Sequence, residues 1–169
     1  MSTVWKRLAF PVLMLLLAIS FFSACFPGRF TSIPAGPVEW VSELGGVVFV
    51  SLPIPVQHAR LQLASYNEQG ERLWKTSEVE LFPTDVFVVY DADRQTARVF
   101  LARSPHMGCL MKWISETQTF EDPCYGSRFS IDGIYEAGPA PRNLDELSVE
   151  VKDQMIWVRN ELIYGEEHP

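Results

Sequence analysis

Two short stretches, SPHMGC at residues 104–109 and DPCYGSRF at residues 122–129, carry the most informative side chains of this chain. Each contains a Cys within two residues of a Gly, and together they include two of the three cysteines and one of the three histidines. Gly and Pro favour tight loops, and Cys, His and Asp are common metal ligands. The pair is typical of the two halves of a metal-binding clamp in which most of the metal-binding atoms are missing.

The sequence on either side of these stretches favours short β-strands. Apolar and β-branched residues recur with a period of two, and polar turns separate them, so that hairpins are expected. The predicted strands cover residues 46–54, 59–67, 85–91, 96–103, 147–153 and 155–160. Outside the N-terminus only NLDEL at 143–147 has helix potential, and it is too short to matter. We predict an all-β body in which both quoted stretches are loops between strands.

The N-terminus has the pattern of a membrane anchor. Lys6 and Arg7 precede an uncharged run over residues 8–26. The run suits a lipoprotein signal in which Cys25 is the lipidated residue, and it suits a transmembrane helix equally well. Cleavage without lipidation is a third possibility. The first two interpretations place the rest of the chain on the extracytoplasmic face and tether it to the membrane.

The chain divides into four predicted segments. The anchor takes residues 1–26, a Pro/Gly linker takes 27–37, the domain takes 38–164, and a polar tail takes 165–169. The linker shows no helix or strand period. We interpret His168, in the tail, as a solvated residue.

The overall charge and the missing motifs exclude several function classes. The net charge is −7, and an acidic surface repels phosphates, so no nucleic-acid partner is expected. The sequence shows no phosphate-binding loop, no catalytic triad and no paired-carboxylate motif, and its three histidines lie far apart. We assign no catalytic residue and do not expect enzymatic activity from the chain alone.

Residues 96–158 resemble the Rieske iron–sulfur domain. That family carries C-x-H-x-G-C, then C-P-C-H-G-S-x-F, then a G-P-A-P segment and a final hairpin. Here SPHMGC, DPCYGSRF, DGIYEAGPAPRNL at 132–144 and the hairpin strands from residue 147 onward follow in the same order. The resemblance implies an antiparallel Rieske-like β-sandwich with a two-loop cluster-binding subdomain.

The resemblance also assigns four ligand positions to this chain. In the family two Cys and two His hold a 2Fe–2S cluster, and these positions fall on Ser104, His106, Asp122 and Tyr125. Only His106 keeps the family's residue type, and both thiolates, the soft ligands that hold iron in such clusters, are replaced. We therefore expect no cofactor. A single metal ion on His106, Asp122 and Tyr125 stays possible, and the plainest interpretation of His106 is a loop histidine bonded to a backbone carbonyl.

The resemblance further implies a disulfide between Cys109 and Cys124, which joins the two loops. The residues that shape the loops in the family are also present here. They are Gly108, Gly126, Ser127, Gly138, Pro139 and Pro141. The chain thus keeps the parts that shape the loops and has lost most of the parts that carry out redox chemistry.

These observations predict a membrane-tethered, cluster-less Rieske-fold protein. Its role would be a structural or interaction subunit of a respiratory or cytochrome bc-like electron-transfer complex. Two alternatives stay open. One is an electron-transfer protein with an altered 2Fe–2S cluster or a single metal ion, and the other is a free-standing lipoprotein binding module of the cell envelope.

Overall fold

The computed structural model describes residues 32–168. In this range the chain forms a series of strands with one short helix near its start. They are β1 (Ser32–Pro37), α1 (Val38–Glu43), β2 (Val47–Leu52), β3 (Val56–Tyr66), β4 (Arg72–Leu81), β5 (Thr84–Asp91), β6 (Thr96–Leu101), β7 (Lys112–Ile114), β8 (Thr119–Glu121), β9 (Arg128–Ser130), β10 (Tyr135–Ala137), β11 (Glu146–Lys152) and β12 (Met155–Ile163).

Six strands form a central antiparallel sheet in the order β1-β12-β11-β6-β5-β2. Successive side chains of a strand point to opposite faces, and β5 shows this directly. Val86 and Val88 join one hydrophobic core, whereas Phe87 and Val89 join the other. The first core is closed by α1 and the start of β3, and the second is closed by a smaller sheet. The central sheet is therefore buried on both faces.

The smaller sheet, in the order β10-β9-β8-β7, carries the two loops. The first loop joins β6 to β7, and the second joins β8 to β9. Phe120 and Phe129 are fully buried and attach this sheet to the central one, with the Phe120 ring 4.8 Å from that of Phe87. The prediction of an all-β, antiparallel fold is confirmed, and the quoted stretches lie in loops except for Arg128 and Phe129, which begin β9.

The β3–β4 hairpin forms a separate two-stranded sheet that reaches the first loop. Its pairing runs from Val56 opposite Leu81 to Tyr66 opposite Arg72. A single parallel bridge joins Gln62 of β3 to His106 of the loop. The sequence predicted β3 but not its partner β4, because the polar residues of β4 obscure the alternation of apolar and polar residues that marks a strand.

The start of the described region differs from the predicted linker. Residues 32–37 form β1, which pairs with β12 at the edge of the central sheet. This strand was not predicted, because Pro34 and Pro37 cannot donate backbone hydrogen bonds to a sheet. Pro is nevertheless tolerated in edge strands, and β1 is one. A helix, α1, follows where none was predicted, while NLDEL forms no helix and leads into β11. The predicted anchor, including Cys25, and residues 27–31 lie outside the described residues. Among residues 32–168 no helix is long and apolar enough to cross a bilayer.

The C-terminal segment, predicted to be a solvated tail, is attached to the domain. The backbone N–H of Asn143 donates to the carbonyl of Glu166 at 2.9 Å. His168 Nε2 lies 2.6 Å from the Ala140 carbonyl oxygen, and its ring stacks on Tyr135 at 3.8 Å. The interpretation of His168 as a solvated residue was wrong, because Tyr135 of β10 offers it a ring and Ala140 offers it a carbonyl.

Candidate functional site

The first loop is held by hydrogen bonds around Ser104. Its backbone N–H donates to Cys109 O at 2.9 Å, and its carbonyl accepts from Gly108 N at 3.1 Å. Its Oγ accepts the backbone N–H of His106 at 3.2 Å. Ser104 is fully buried. Its hydroxyl oxygen therefore stabilises the loop in which it lies.

The second loop has a similar arrangement around Asp122. Asp122 Oδ1 accepts the backbone N–H groups of Cys124 at 2.8 Å and Tyr125 at 3.2 Å. The backbone of Asp122 also bonds Ser127 and Gly126, both at 2.8 Å. The short side chain of Asp is well suited to such local turns. Asp122 therefore stabilises the loop in which it lies.

A disulfide joins the two loops, as predicted. Cys109 and Cys124 are bonded, with their Cα atoms 6.3 Å apart. Donor atoms of these two cysteines and of Asp122 lie within 4.8 Å of one another. Metals bind thiolates, however, and the disulfide removes both. With the disulfide formed, this trio offers a metal only the Asp122 carboxylate.

His106 lies beneath the β3–β4 hairpin rather than at the surface. Its side chain is almost completely buried, and Nδ1 lies 3.1 Å from Gln62 Oε1. The Trp74 ring lies 4.4 Å from the imidazole, and the Tyr125 ring meets it edge-on at 4.9 Å. Burial lowers the pKa of His106, and the charge of nearby Asp122 opposes this shift. The expected backbone-carbonyl partner was wrong: the partner of Nδ1 is a side chain from a distant strand.

Gln62 and Trp74 are the site residues that the sequence did not reveal. The backbone of Gln62 donates to Pro105 O and accepts from Met107 N, each at 2.9 Å. Gln62 lies in β3 and Trp74 in β4, some distance along the chain from either loop, and no motif marks them. In the hairpin Gln62 lies opposite Thr76 and Trp74 lies opposite Ala64. Strand alternation therefore puts the Gln62 and Trp74 side chains on the same face, toward His106.

Ser127 and the G-P-A-P segment pack closely behind the second loop. Ser127 Oγ accepts the backbone N–H of Ala140 at 3.1 Å. Gly138 has a φ of +100°, and a Cβ there would lie 2.4 Å from Ser127 Cα. A side chain at position 138 would therefore disturb both backbones. Pro139 and Pro141 flank Ala140 in this segment.

Two polar atoms of the site have no partner among the described residues: His106 Nε2 and Asp122 Oδ2. Both side chains are only 1% exposed. Buried polar atoms are nearly always paired with protein or with ordered water. Of the four assigned positions, the structure brings Ser104, His106 and Asp122 together in the interior and leaves Tyr125 half exposed beside them.

The donor set does not suit a 2Fe–2S cluster. Such clusters rest on anionic thiolates, and here the corresponding oxygens of Ser104 and Asp122 already accept backbone N–H groups. The remaining imidazole is covered by Trp74.

Fold and site together define an all-β domain in which a disulfide joins two loops carried on a small sheet. No family model matches the sequence. Iron–sulfur subunit 2 of the cytochrome b6-f complex from Nostoc sp. PCC 7120 is 45% identical over 53 residues, which are 31% of this chain and 30% of that protein. The chloroplastic cytochrome b6-f complex iron–sulfur subunit of Bigelowiella natans is 32% identical over 89 residues, 50% of this chain and 35% of that protein. The chain thus spans about a third of the length of these relatives.

Two solved structures are similar at low sequence identity. One is the plasma-membrane Rieske protein of Synechocystis PCC 6803, with a TM-score of 0.49 and 19% identity over 75% of this chain and 97% of that one. The other is the soluble domain of Rieske protein II from Sulfolobus acidocaldarius, with a TM-score of 0.48 and 14% identity over 78% of this chain and 79% of that one. The resemblance seen in the loops is confirmed by the sequence relatives: over the matched residues the chain is similar to iron–sulfur subunits of cytochrome b6-f complexes.

Proposed function

We propose that this chain is a membrane-tethered subunit of an electron-transfer complex, with a Rieske-type fold and without redox activity of its own. Its role is structural: it holds or docks partner subunits. One observation carries the proposal. The side chains at the two thiolate positions, Ser104 and Asp122, are buried and bond the backbone of their own loops.

The contrast between kept and lost residues supports a scaffold role. The disulfide and the bond from Ala140 to Ser127 keep the loop pair in shape. The iron ligands, in contrast, are replaced at three of four positions. The relatives named above are subunits of cytochrome b6-f complexes, which supports a partner of the same class. The N-terminal run of residues 8–26 supplies the proposed tether.

An exposed apolar surface around the disulfide supports docking. Trp74 is 42% exposed, Leu110 is 41% exposed and Tyr125 is 44% exposed. Trp74 and Tyr125 both contact His106, and Leu110 follows Cys109 of the disulfide. Clustered exposed aromatic and aliphatic side chains mark interaction sites more often than chance positions do. We call Trp74, Leu110 and Tyr125 the tip surface.

The absence of a cluster is tested on tag-free protein from iron-supplemented cells. We expect neither stoichiometric iron nor acid-labile sulfide, and no paramagnetic signal after reduction with dithionite. Two irons and two sulfides per chain would overturn the proposal.

Membership of a complex is tested by purification from solubilised native membranes. We expect cytochrome subunits to copurify with the chain, and Leu110→Glu to abolish this by placing a charge in the tip surface. Ile134→Glu is the matched control, because Ile134 is similarly exposed but lies on another loop. A chain that elutes alone would contradict the proposal and favour a free-standing binding module.

A further inference from the structure

The strand β2 is one edge of the central sheet, and no strand among residues 32–168 pairs with its outer side. Its sequence, VVFVSL, contains no charged residue and no proline. The opposite edge, β1, contains Pro34 and Pro37, and proteins commonly use prolines or charges to keep edge strands from pairing with other chains. β2 is therefore an unprotected edge, the part of a sheet that accepts an additional strand.

The hydrogen bonds between β2 and β5 show which backbone groups of β2 point outward. Tyr90 N donates to Gly46 O at 2.9 Å, and the antiparallel register continues through β2 without a shift. In such a pair every second residue bonds the neighbouring strand, and the residues between them direct their N–H and C=O groups to the other side. Counted from Gly46, the residues that point to the open edge are Val47, Phe49 and Ser51.

An apolar groove of about 510 Å³ adjoins this edge. It is lined by Phe49 of β2, which is 47% exposed, and by Trp113 of β7. β7 is itself the edge of the smaller sheet. Leu110 lines the groove and also belongs to the tip surface, so the two surfaces are continuous. Since the Phe49 side chain lies on the groove side of β2, alternate side chains of a strand added beside it would enter the groove.

The charge of the groove indicates which kind of strand it fits. Of the described residues that line it, only Lys112 is charged. Lys112 is exposed and forms no ion pair with residues 32–168, although Glu121 lies opposite it in the smaller sheet. A carboxylate on the added strand would supply the counter-charge. β2 of a second copy holds no carboxylate, and two chains of net charge −7 repel each other. The charges therefore favour a segment of another protein.

We propose that β2 and this groove bind an extended segment of a partner protein as an added antiparallel strand. The segment has apolar side chains at alternate positions, which enter the groove, and one carboxylate that pairs with Lys112. Backbone hydrogen bonds supply affinity in this mode of binding, and the pockets for alternate side chains supply specificity. The proposal deepens the docking role proposed above and rests on it for the source of the segment.

The backbone contact is tested by calorimetry on full-length, detergent-solubilised protein. The probe is a short capped peptide in which Thr alternates with Val and the central Val is replaced by Asp. In the antiparallel arrangement the amides of Val and Asp face β2, so N-methylation of these amides should weaken binding at least about 10-fold. N-methylation of the Thr amides is the matched control and should leave binding unchanged. No binding, or equal weakening by both modifications, would overturn the site.

Two variants of the protein test the edge and the charge. Ser51→Pro removes an outward N–H but no bond to β5, so it should weaken peptide binding at least about 10-fold and leave Tm close to that of the wild type. Wild type should prefer the Asp peptide to its Asn counterpart about two- to fivefold. Lys112→Gln should remove this preference, whereas Lys152→Gln, at an exposed position of β11, should keep it.

Two results would separate this site from its alternatives. Full peptide binding by Ser51→Pro would overturn it, and so would a wild-type dimer, seen by sedimentation, that excludes the peptide. Iron with sulfide, or a chain that elutes alone from native membranes, would instead contradict the proposed function. The peptide measurements need no partner complex, so the two failures are distinguishable.

Discussion

At the scale of single residues, Ser104 and Asp122 show how an oxygen at a thiolate position of the family can hold its own loop. Both lie where the family places thiolates, and both direct an oxygen at backbone N–H groups of their own loops. A thiolate bound to iron holds its loop through the metal. Here the oxygens hold the loops directly, and the disulfide joins them.

Replacing the buried hydroxyl of Ser104 should destabilise the domain. Ser104→Ala removes the acceptor of the His106 backbone N–H and leaves that donor buried and unpaired. We expect the free energy of unfolding to fall by about 1–3 kcal/mol. Urea denaturation followed by far-UV circular dichroism measures this change.

Ser65→Ala is the matched control for Ser104→Ala. Ser65 Oγ donates to the Leu73 carbonyl at an exposed position, where the loss should stay within about 0.5 kcal/mol. Equal losses for both variants would show that Ser104 has no special role in the loop.

The identities of the loop residues were predictable, but their partners were not. His106 and Asp122 were singled out from SPHMGC and DPCYGSRF because the resemblance to the Rieske domain places ligand positions on them. Gln62, which binds Nδ1 of His106, lies 44 positions away in the chain. A contact at that separation exists only once β3 has paired with β4 and crossed the loop.

At the scale of secondary-structure elements, the β5–β6 hairpin has its own electrostatic stabilisation. Asp91 Oδ1 accepts the backbone N–H groups of Asp93 and Arg94, each at 3.0 Å. The Arg94 guanidinium lies 2.6 Å from Oδ2. The backbone N–H of Arg94, followed by its side chain, lowers the pKa of Asp91 below its usual 3.8, although desolvation opposes the shift.

The lowered pKa of Asp91 predicts an acid-sensitive contribution of this turn. The folded state favours the carboxylate, so the stabilisation is present above pH 3.8 and disappears as the pH falls through the lowered value. At acid pH the unfolded chain binds the proton more readily. The Tm difference between wild type and Asp91→Asn should therefore shrink as the pH falls below 3.8 and through the lowered pKa. Carbon-detected NMR titration of Asp91 gives the pKa itself.

Arg94→Gln separates the two causes of this shift. It removes the ion pair but keeps the backbone N–H, which is the larger cause. Part of the acid sensitivity should therefore remain in Arg94→Gln. Its complete loss would mean that the guanidinium dominates instead.

Strand alternation accounts for which elements were predictable. β5, β6, β11 and β12 have regular apolar periods and short polar turns, and each appears where predicted. β1 was missed because its two prolines are signs of a linker, although an edge strand tolerates them. α1 has six residues, and a helix this short depends on tertiary packing rather than on propensity. Val38 and Val41, both buried, provide that packing.

At the scale of the whole molecule, the C-terminal segment closes over the G-P-A-P segment. Gly165 N donates to Asp145 Oδ1 at 3.0 Å, and Glu166 O accepts from Asn143. His168 covers Tyr135. The last residues therefore stabilise the segment that supports the second loop.

Removing residues 165–169 should lower stability. The truncation removes hydrogen bonds to Asn143, Asp145 and Ala140, and we expect a loss of about 1.5–4.5 kcal/mol, since each such bond contributes about 0.5–1.5 kcal/mol. Thermal unfolding measures the change, and amide exchange at Asn143 should quicken.

Glu167→Ala tests whether the backbone of this segment matters more than its charges. It keeps the backbone contacts, so its Tm should stay close to that of the wild type. An unchanged Tm after truncation would show that the segment is only loosely attached.

The amino-acid sequence by itself determined the fold class, the two loops and the disulfide. The alternation of apolar residues and the turn residues are local signals, and the paired cysteines are recognised from the order of motifs along the chain. It also determined which side chains stand at the ligand positions. The tertiary structure alone decided that Gln62 and Trp74 cover His106 and that the C-terminal segment is attached. Those contacts join residues that are distant in the chain. Such residues come close in space only when the sheets and the β3–β4 hairpin have packed.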